Sequence, residues 1–236
     1  MTLLDPIGRA LTGPADHRHI PQDRDRITGI SAVRDDHRAA TSVAAVTSDE
    51  RSMRDRMLAG DPYLADDPVL AEENQRAMSL MEAFNRSSAS DPEERRRLLT
   101  ELLGSYGNGC EIRPPFYCDY GYQTTIGART FVNFGLVVLD VARVSIGEDV
   151  QIGPSVQLLT ATHPLDPGLR RDKWEAAQPI AIGDNVWLGG GVIVCPGVTI
   201  GENTVVGAGS VVTKDLPPNV VAVGSPARVV RTLDVT

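Results

Sequence analysis

The chain has 236 residues, 42% of them hydrophobic, with a formal net charge of -8. That is enough apolar material for one sizeable core, and the acidic balance excludes a general nucleic-acid binder, which needs a basic surface. No apolar run approaches membrane-spanning length, and the start, MTLLDPIGRALTGPADHRH, puts Pro, Gly and acids where a secretory signal needs continuous apolar sequence, so a cytoplasmic protein without membrane or nucleic-acid partners is expected.

Residues 1–50 mix Arg, Asp, Pro, Thr and Ala without periodicity and read as a disordered extension. Residues 51–104 read as an N-terminal helical pair. Asp67 and Pro68 form a cap and first-turn pair ahead of apolar Val69, Leu70, Ala77, Leu80, Met81 and Phe84. A second helix starts at Ser90-Asp91-Pro92, buries Leu98, Leu99, Leu102 and Leu103, and stops at Gly104.

Residues 105–236 carry a six-residue beat. Ile182, Leu188, Val194, Ile200, Val206 and Val212 recur without a gap, the first five followed by Gly or, at Cys195, another small residue. An aliphatic residue every six positions is the mark of a parallel β-helix: each hexad gives one short strand, three hexads close a triangular coil, and stacked coils align their aliphatics into one core. The glycines are expected to turn the corners with unusual φ/ψ. Upstream, Ile126, Val132 and Val138 keep the beat, a two-residue slip follows, and Ile146, Ile152 and Leu158 resume it. Residues 164–179, PLDPGLRRDKWEAAQP, have no hexad character and read as a loop thrown out between two coils, ahead of a C-terminal cap. The fold class is therefore mainly β: a β-helix of hexapeptide repeats with a helical pair before it and a protruding loop. The helices would cover its open end.

Cys110, Cys118 and Cys195 are odd in number and lack CxxC spacing, which argues against disulfides and structural zinc; reduced thiols in or near the core are expected. Three of the four histidines fall in the extension, leaving His163, in Thr160-Ala161-Thr162-His163-Pro164, as the only one in the folded part. A zinc enzyme on this scaffold would need about three histidines. No metal site is expected.

The stretches MLAGDPYLADDPVL, PPFYCDYGYQTTIG, TATHPLDP, PIAIGDNVWLGGGVIVCPGVTIG and GAGSVVTKDLPPNVVAVGSPARVVR follow in order over about 175 residues. Together they resemble the maltose and galactoside O-acetyltransferases of the hexapeptide-repeat acyltransferase family. The resemblance implies a left-handed helix, acetyl-CoA as co-substrate, a sugar acceptor, direct transfer in a ternary complex, and a homotrimer whose sites lie between chains. It also implies roles for residues. His163 would be the general base that takes the proton of the attacking hydroxyl. Trp187 and Gly190 would border the thioester. Ala208, Thr213, Lys214, Arg228 and Arg231 would contact coenzyme A, the three cations clustering at the end of the prism to hold its phosphates. Asp119 and Asn133 would bind the acceptor, with Asp140 a weaker neighbour and Tyr63, Asp66 or Asp67 possible contributions. Val132-Asn133-Phe134-Gly135 departs from the usual family string, so the acceptor pocket is expected to differ.

The imidazole also needs a partner that selects its tautomer. Glu175, in the protruding loop, is the best carboxylate for this; a backbone carbonyl could serve instead, and Glu175 could equally be a solvated charge. Two rival functions stand beside the sugar reading: a xenobiotic or serine acetyltransferase, which an acceptor panel separates, and a non-catalytic β-helix scaffold, which would bind no coenzyme A.

Overall fold

The computed structural model describes residues 49–235. The expected extension, residues 1–50, lies outside the described residues apart from Asp49 and Glu50, as do His17, His19 and His37.

The hexads build a parallel β-helix of about six turns with three flat faces. Face I stacks Ser105–Tyr106, Thr124–Ile126, Val144–Ile146, Ile180–Ile182 and Thr199–Ile200. Face II stacks Glu111–Ile112, Phe131–Val132, Gln151–Ile152, Trp187–Leu188, Val205–Val206 and Val220–Val223, and is closed by an antiparallel strand, Arg228–Thr232. Face III stacks Phe116–Cys118, Leu136–Leu139, Gln157–Leu159, Ile193–Val194 and Val211–Val212. The six-residue step puts each hexad aliphatic on the next face, so Ile126, Ile146, Ile182 and Ile200 form one inward column, and Val138, Leu158, Val194 and Val212 another. All are buried. Each contributes about 1.5–3 kcal/mol by leaving water. A second buried row lies two residues earlier in each hexad, at Ile180, Val186, Val192 and Val198, and ends in Thr204 and Ser210. Thr204 keeps its hydroxyl satisfied by donating to the Pro217 carbonyl at 2.7 Å.

The repeat glycines serve a different purpose from the one expected. Gly153 and Gly189, which follow Ile152 and Leu188, are not among the residues with positive φ. A Cβ on Gly153 would stand 2.6 Å from the Gly190 amide nitrogen, and one on Gly189 would stand 2.5 Å from that of Ala208. Glycine is there so that successive coils can stack. The left-handed corners fall instead on later positions: on Arg129, Asp149, Asn185, Asn203 and Asn219 at the edge between faces I and II, and on Gly135, Ser155, Gly191 and Gly209 at the edge between faces II and III. At the first of these edges Asn185 donates to Asn203 at 2.9 Å and Asn203 to Asn219 at 2.8 Å, a side-chain ladder that locks three corners together.

Helix α1 (Met53–Ala59) precedes α2 (Pro68–Arg86) and α3 (Pro92–Leu102). Asp67 caps α2, one carboxylate oxygen accepting from the Val69 and Leu70 amides. Ala77, Met81 and Phe84 of α2 and Leu98, Leu99 and Leu102 of α3 join the prism core and cover its first coil. Val69 does not: it is 51% exposed. Asn85 closes the open edge of face III, donating to the Phe116 carbonyl at 3.0 Å and accepting from its amide at 2.8 Å.

Two further departures bear on function. The two-residue slip after Val138 is a widened corner that buries Asp140, Val141 and Ala142. The protruding loop is less irregular than expected: it contains a short helix α4 (Pro167–Arg171) and a strand, Trp174–Ala177. That strand is the centre of a three-stranded antiparallel sheet, between Tyr63–Leu64 and Ala161–Thr162. The three cysteines are free thiols packed in or against the core, as expected.

Candidate active site

The residues singled out from sequence lie along two edges of the prism, one on each side of face III. The edge between faces III and I follows the strands that end at Cys118, Leu139, Leu159 and Val212. It therefore carries Asp119, Asp140, His163, Glu175, Thr213 and Lys214. The edge between faces II and III carries Asn133, Gly190 and Ala208, with Trp187 beside it on face II. Arg228 pairs with Val223 and Arg231 with Val221 on the closing strand of face II. The expected cluster of three cations is thus spread over two edges, because Lys214 leaves face III in the opposite direction.

At the first edge, the three-stranded sheet positions the chemistry. Thr162 pairs with Ala176, so the next step of the same antiparallel register sets His163 opposite Glu175. His163 is exposed, and its imidazole forms no hydrogen bond or ion pair among the described residues. Glu175 is half-buried and accepts from the Tyr63 hydroxyl at 2.9 Å. Asp119 lies nearby. Burial first, then the Asp140 and Glu175 carboxylates, push its carboxyl up to about 7.

Asp140 is not an acceptor ligand. It is 0% exposed; one oxygen accepts from the Asp119 and Tyr120 amides at 3.0 and 2.9 Å, and the other from the Thr124 hydroxyl at 3.0 Å. Burial raises its pKa and these bonds oppose the rise. Its work is to fold the corner that presents Asp119. Tyr63, at 1% exposure, is likewise packed inside, against Tyr120, Val141 and Ala177.

At the second edge lies a groove of about 460 Å³, floored by Gly153, Pro154, Gly189, Gly190, Gly207 and Ala208 and walled by Phe131, Asn133 and Trp187. Trp187 stands 55% exposed, an apolar plate no monomer needs. The Gly190 amide donates to no acceptor among the described residues, while its carbonyl accepts from Gly209 at 2.9 Å. The floor is thus smooth and offers a free N–H donor. It suits an extended thioester arm laid against backbone, with a donor for a developing oxyanion.

Residues 56–107 match the maltose acetyltransferase hexapeptide capping motif, and residues 179–214 match six bacterial transferase hexapeptide repeats. The chain is 42% identical over 182 residues to the galactoside O-acetyltransferase of Escherichia coli (strain K12), spanning 77% of this chain and 90% of that one. It belongs to the maltose and galactoside acetyltransferase family. A maltose O-acetyltransferase from Clostridium difficile 630 superposes with a TM-score of 0.77 at 44% identity, covering 79% of this chain and all (100%) of that one. A hexapeptide-repeat acetyltransferase from Vibrio cholerae O1 biovar eltor, solved with acetyl coenzyme A, superposes with a TM-score of 0.73 at 40% identity over 78% of this chain and 100% of that one. Family membership makes the protein an acyltransferase enzyme, and the scaffold reading falls. No helix among the described residues is long and apolar enough to cross a membrane.

Sequence reasoning did not find the pairing that joins Tyr63 to Glu175 or the antiparallel sheet that brings both beside Ala161–Thr162. No local signal marked the central strand: Trp174–Ala177 reads Trp-Glu-Ala-Ala, in which only Trp favours a strand, inside a loop rich in charge and proline.

Proposed function

We propose that the protein is a cytoplasmic O-acetyltransferase that moves the acetyl group of acetyl-CoA to a hydroxyl of a sugar, in a homotrimer whose sites form between copies. The observation that carries this reading is the division of the site. His163, Glu175 and Asp119 stand on one edge of face III, and the groove of Trp187, Gly190 and Ala208 stands on the other. At about 3.3 Å per residue a face is on the order of 15 Å wide. One copy cannot bring its own imidazole to its own thioester, whereas a neighbour's edge can. Face III between them is apolar on its outward side except for Gln157 at its centre, the row being Tyr117, Val137, Gln157, Ile193 and Val211; face I shows Ser105, Thr125, Ser145, Ala181 and Thr199. An apolar strip bounded by two half-sites suits a ring of three in which each edge meets the next.

The acetyl-CoA arm lies along the groove, with Trp187 against the pantetheine. Arg228 and Arg231 of that copy, and Thr213 and Lys214 of its neighbour, hold the phosphates. The acceptor sits between Asp119 and Asn133, whose carboxylate and amide bond paired hydroxyls. His163 takes the hydroxyl proton as the oxygen attacks the thioester carbon, and Glu175 fixes which imidazole nitrogen is free to accept it. The tetrahedral oxyanion accepts from the Gly190 amide. Its collapse expels the thiolate, which recovers the proton from His163 and leaves as coenzyme A.

His163→Ala tests the reading. Transfer to a panel of mono- and disaccharides, followed by mass spectrometry, should fall roughly 10²–10⁴-fold, while coenzyme A binding by calorimetry and the melting temperature stay near wild type. Retained transfer removes His163 from the chemistry. Lost folding reassigns it to structure.

A further inference from the structure

We infer that Tyr63 is a positioning residue of the reaction, holding Glu175 so that one carboxylate oxygen remains for the His163 imidazole. The inference rests on the reading of His163 as the base. It adds a residue from the helical segment to the machinery of the prism.

Tyr63 and Glu175 are register partners on adjacent antiparallel strands. Extending the Thr162–Ala176 register by one residue, just past the end of the strand, sets His163 opposite Glu175. Directly opposed residues in antiparallel strands project to the same face with Cβ atoms about 4.5–5.5 Å apart. Tyr63, Glu175 and His163 thus form one row across the three-stranded sheet, with the carboxylate in the middle. The Tyr63 hydroxyl takes Oε2 of Glu175 at 2.9 Å, and no hydrogen bond to Oε1 forms among the described residues. A carboxylate held by one oxygen is restrained from swinging into water, and its second oxygen stays available as an acceptor. Burial and the Glu175 charge raise the Tyr63 hydroxyl above its ordinary range, so it remains a donor at all working pH values. The ring is fixed as well: Tyr63 packs with Met57, Leu70, Tyr120 and Val141.

Tyr63→Phe keeps the ring and removes only the donor. The direct readout is the tautomer of His163 in its neutral form, from ring nitrogen shifts of histidine-labelled protein, the signal being assigned by its loss in His163→Gln. Wild type should depart from the ratio of free imidazole, and Tyr63→Phe and Glu175→Gln should both return toward it. In steady-state kinetics with the best sugar of the panel, Tyr63→Phe should lower kcat by roughly 5–20-fold with the KM for acetyl-CoA unchanged. The double variant should be no slower than Glu175→Gln alone. A tautomer ratio identical in wild type and Tyr63→Phe overturns the inference, as does a fully additive double variant. Absence of any sugar acetylation by the wild type overturns the functional reading instead, and the tautomer measurement still decides the role of Tyr63.

Discussion

Asp119 shows how much a single side chain is set by what the corner around it buries. With Asp140 and Glu175 as charged neighbours and much of its hydration lost, its carboxyl is pushed from the usual 3.8 up to about 7. A carboxyl raised on folding makes the native state bind the extra proton, so stability falls as the pH climbs from about 3.8 to about 7 and stays lower above that window. Asp119→Asn removes the ionisation. By thermal melts, its Tm should exceed that of wild type by roughly 2–4 °C at pH 8.5 and by little or nothing at pH 4. An equal difference at both pH values would mean that the charge is not felt in the fold. At this scale the sequence was partly legible. His163 could be singled out because no other histidine shared the folded part, whereas the roles expected of Trp187, Gly190 and Ala208 came with the family resemblance, Gly189–Gly191 showing by themselves only that a ligand could approach the backbone. Asp140 was misread, since an aspartate that accepts from two amides looks the same in one dimension as one that faces a ligand.

Among the elements, the coil corner is where composition and geometry meet. The repeat announces the prism because each aliphatic must land on a new face, and the inward columns follow from counting by six. The count could not say why glycine follows. Gly189 is required by the backbone of the next coil, 2.5 Å from where its Cβ would be. Gly191 has nothing within 4 Å but a φ of 68°. The two therefore fail differently. Gly189→Ala should cost about 1–3 kcal/mol in denaturant unfolding, because strand and strand must part. Gly191→Asn should cost less, since Asn185, Asn203 and Asn219 already hold the left-handed conformation at other corners. Equal losses would point to a conformational role for both. The segment between Pro164 and Pro179 was the least legible element. Its strand is stabilised by two partners, one more than 100 residues earlier in the chain, and a pairing that distant leaves no local period.

For the whole molecule, the proposed function treats a single chain as an incomplete enzyme: face III is a largely apolar strip with the proposed base on one side and the proposed thioester groove on the other. Family resemblance supplied the trimer and the handedness at the sequence level; hexad periodicity carries neither. The division of the site gives the proposed trimer a physical reason and a decisive test. His163→Ala lacks the imidazole but keeps its groove. Ala208→Trp fills the exposed groove floor but keeps its imidazole. Each alone should be inactive. When equal amounts are unfolded and refolded together, three quarters of random trimers are mixed and each mixed trimer has one intact site in three, so acetyl transfer should recover to about a quarter of the wild-type rate. Recovery near that level, with the mass of a trimer by light scattering, is the predicted result. Mixed trimers with no activity above that of the separate variants would contradict the account, because the imidazole and the groove would then have to work within one chain.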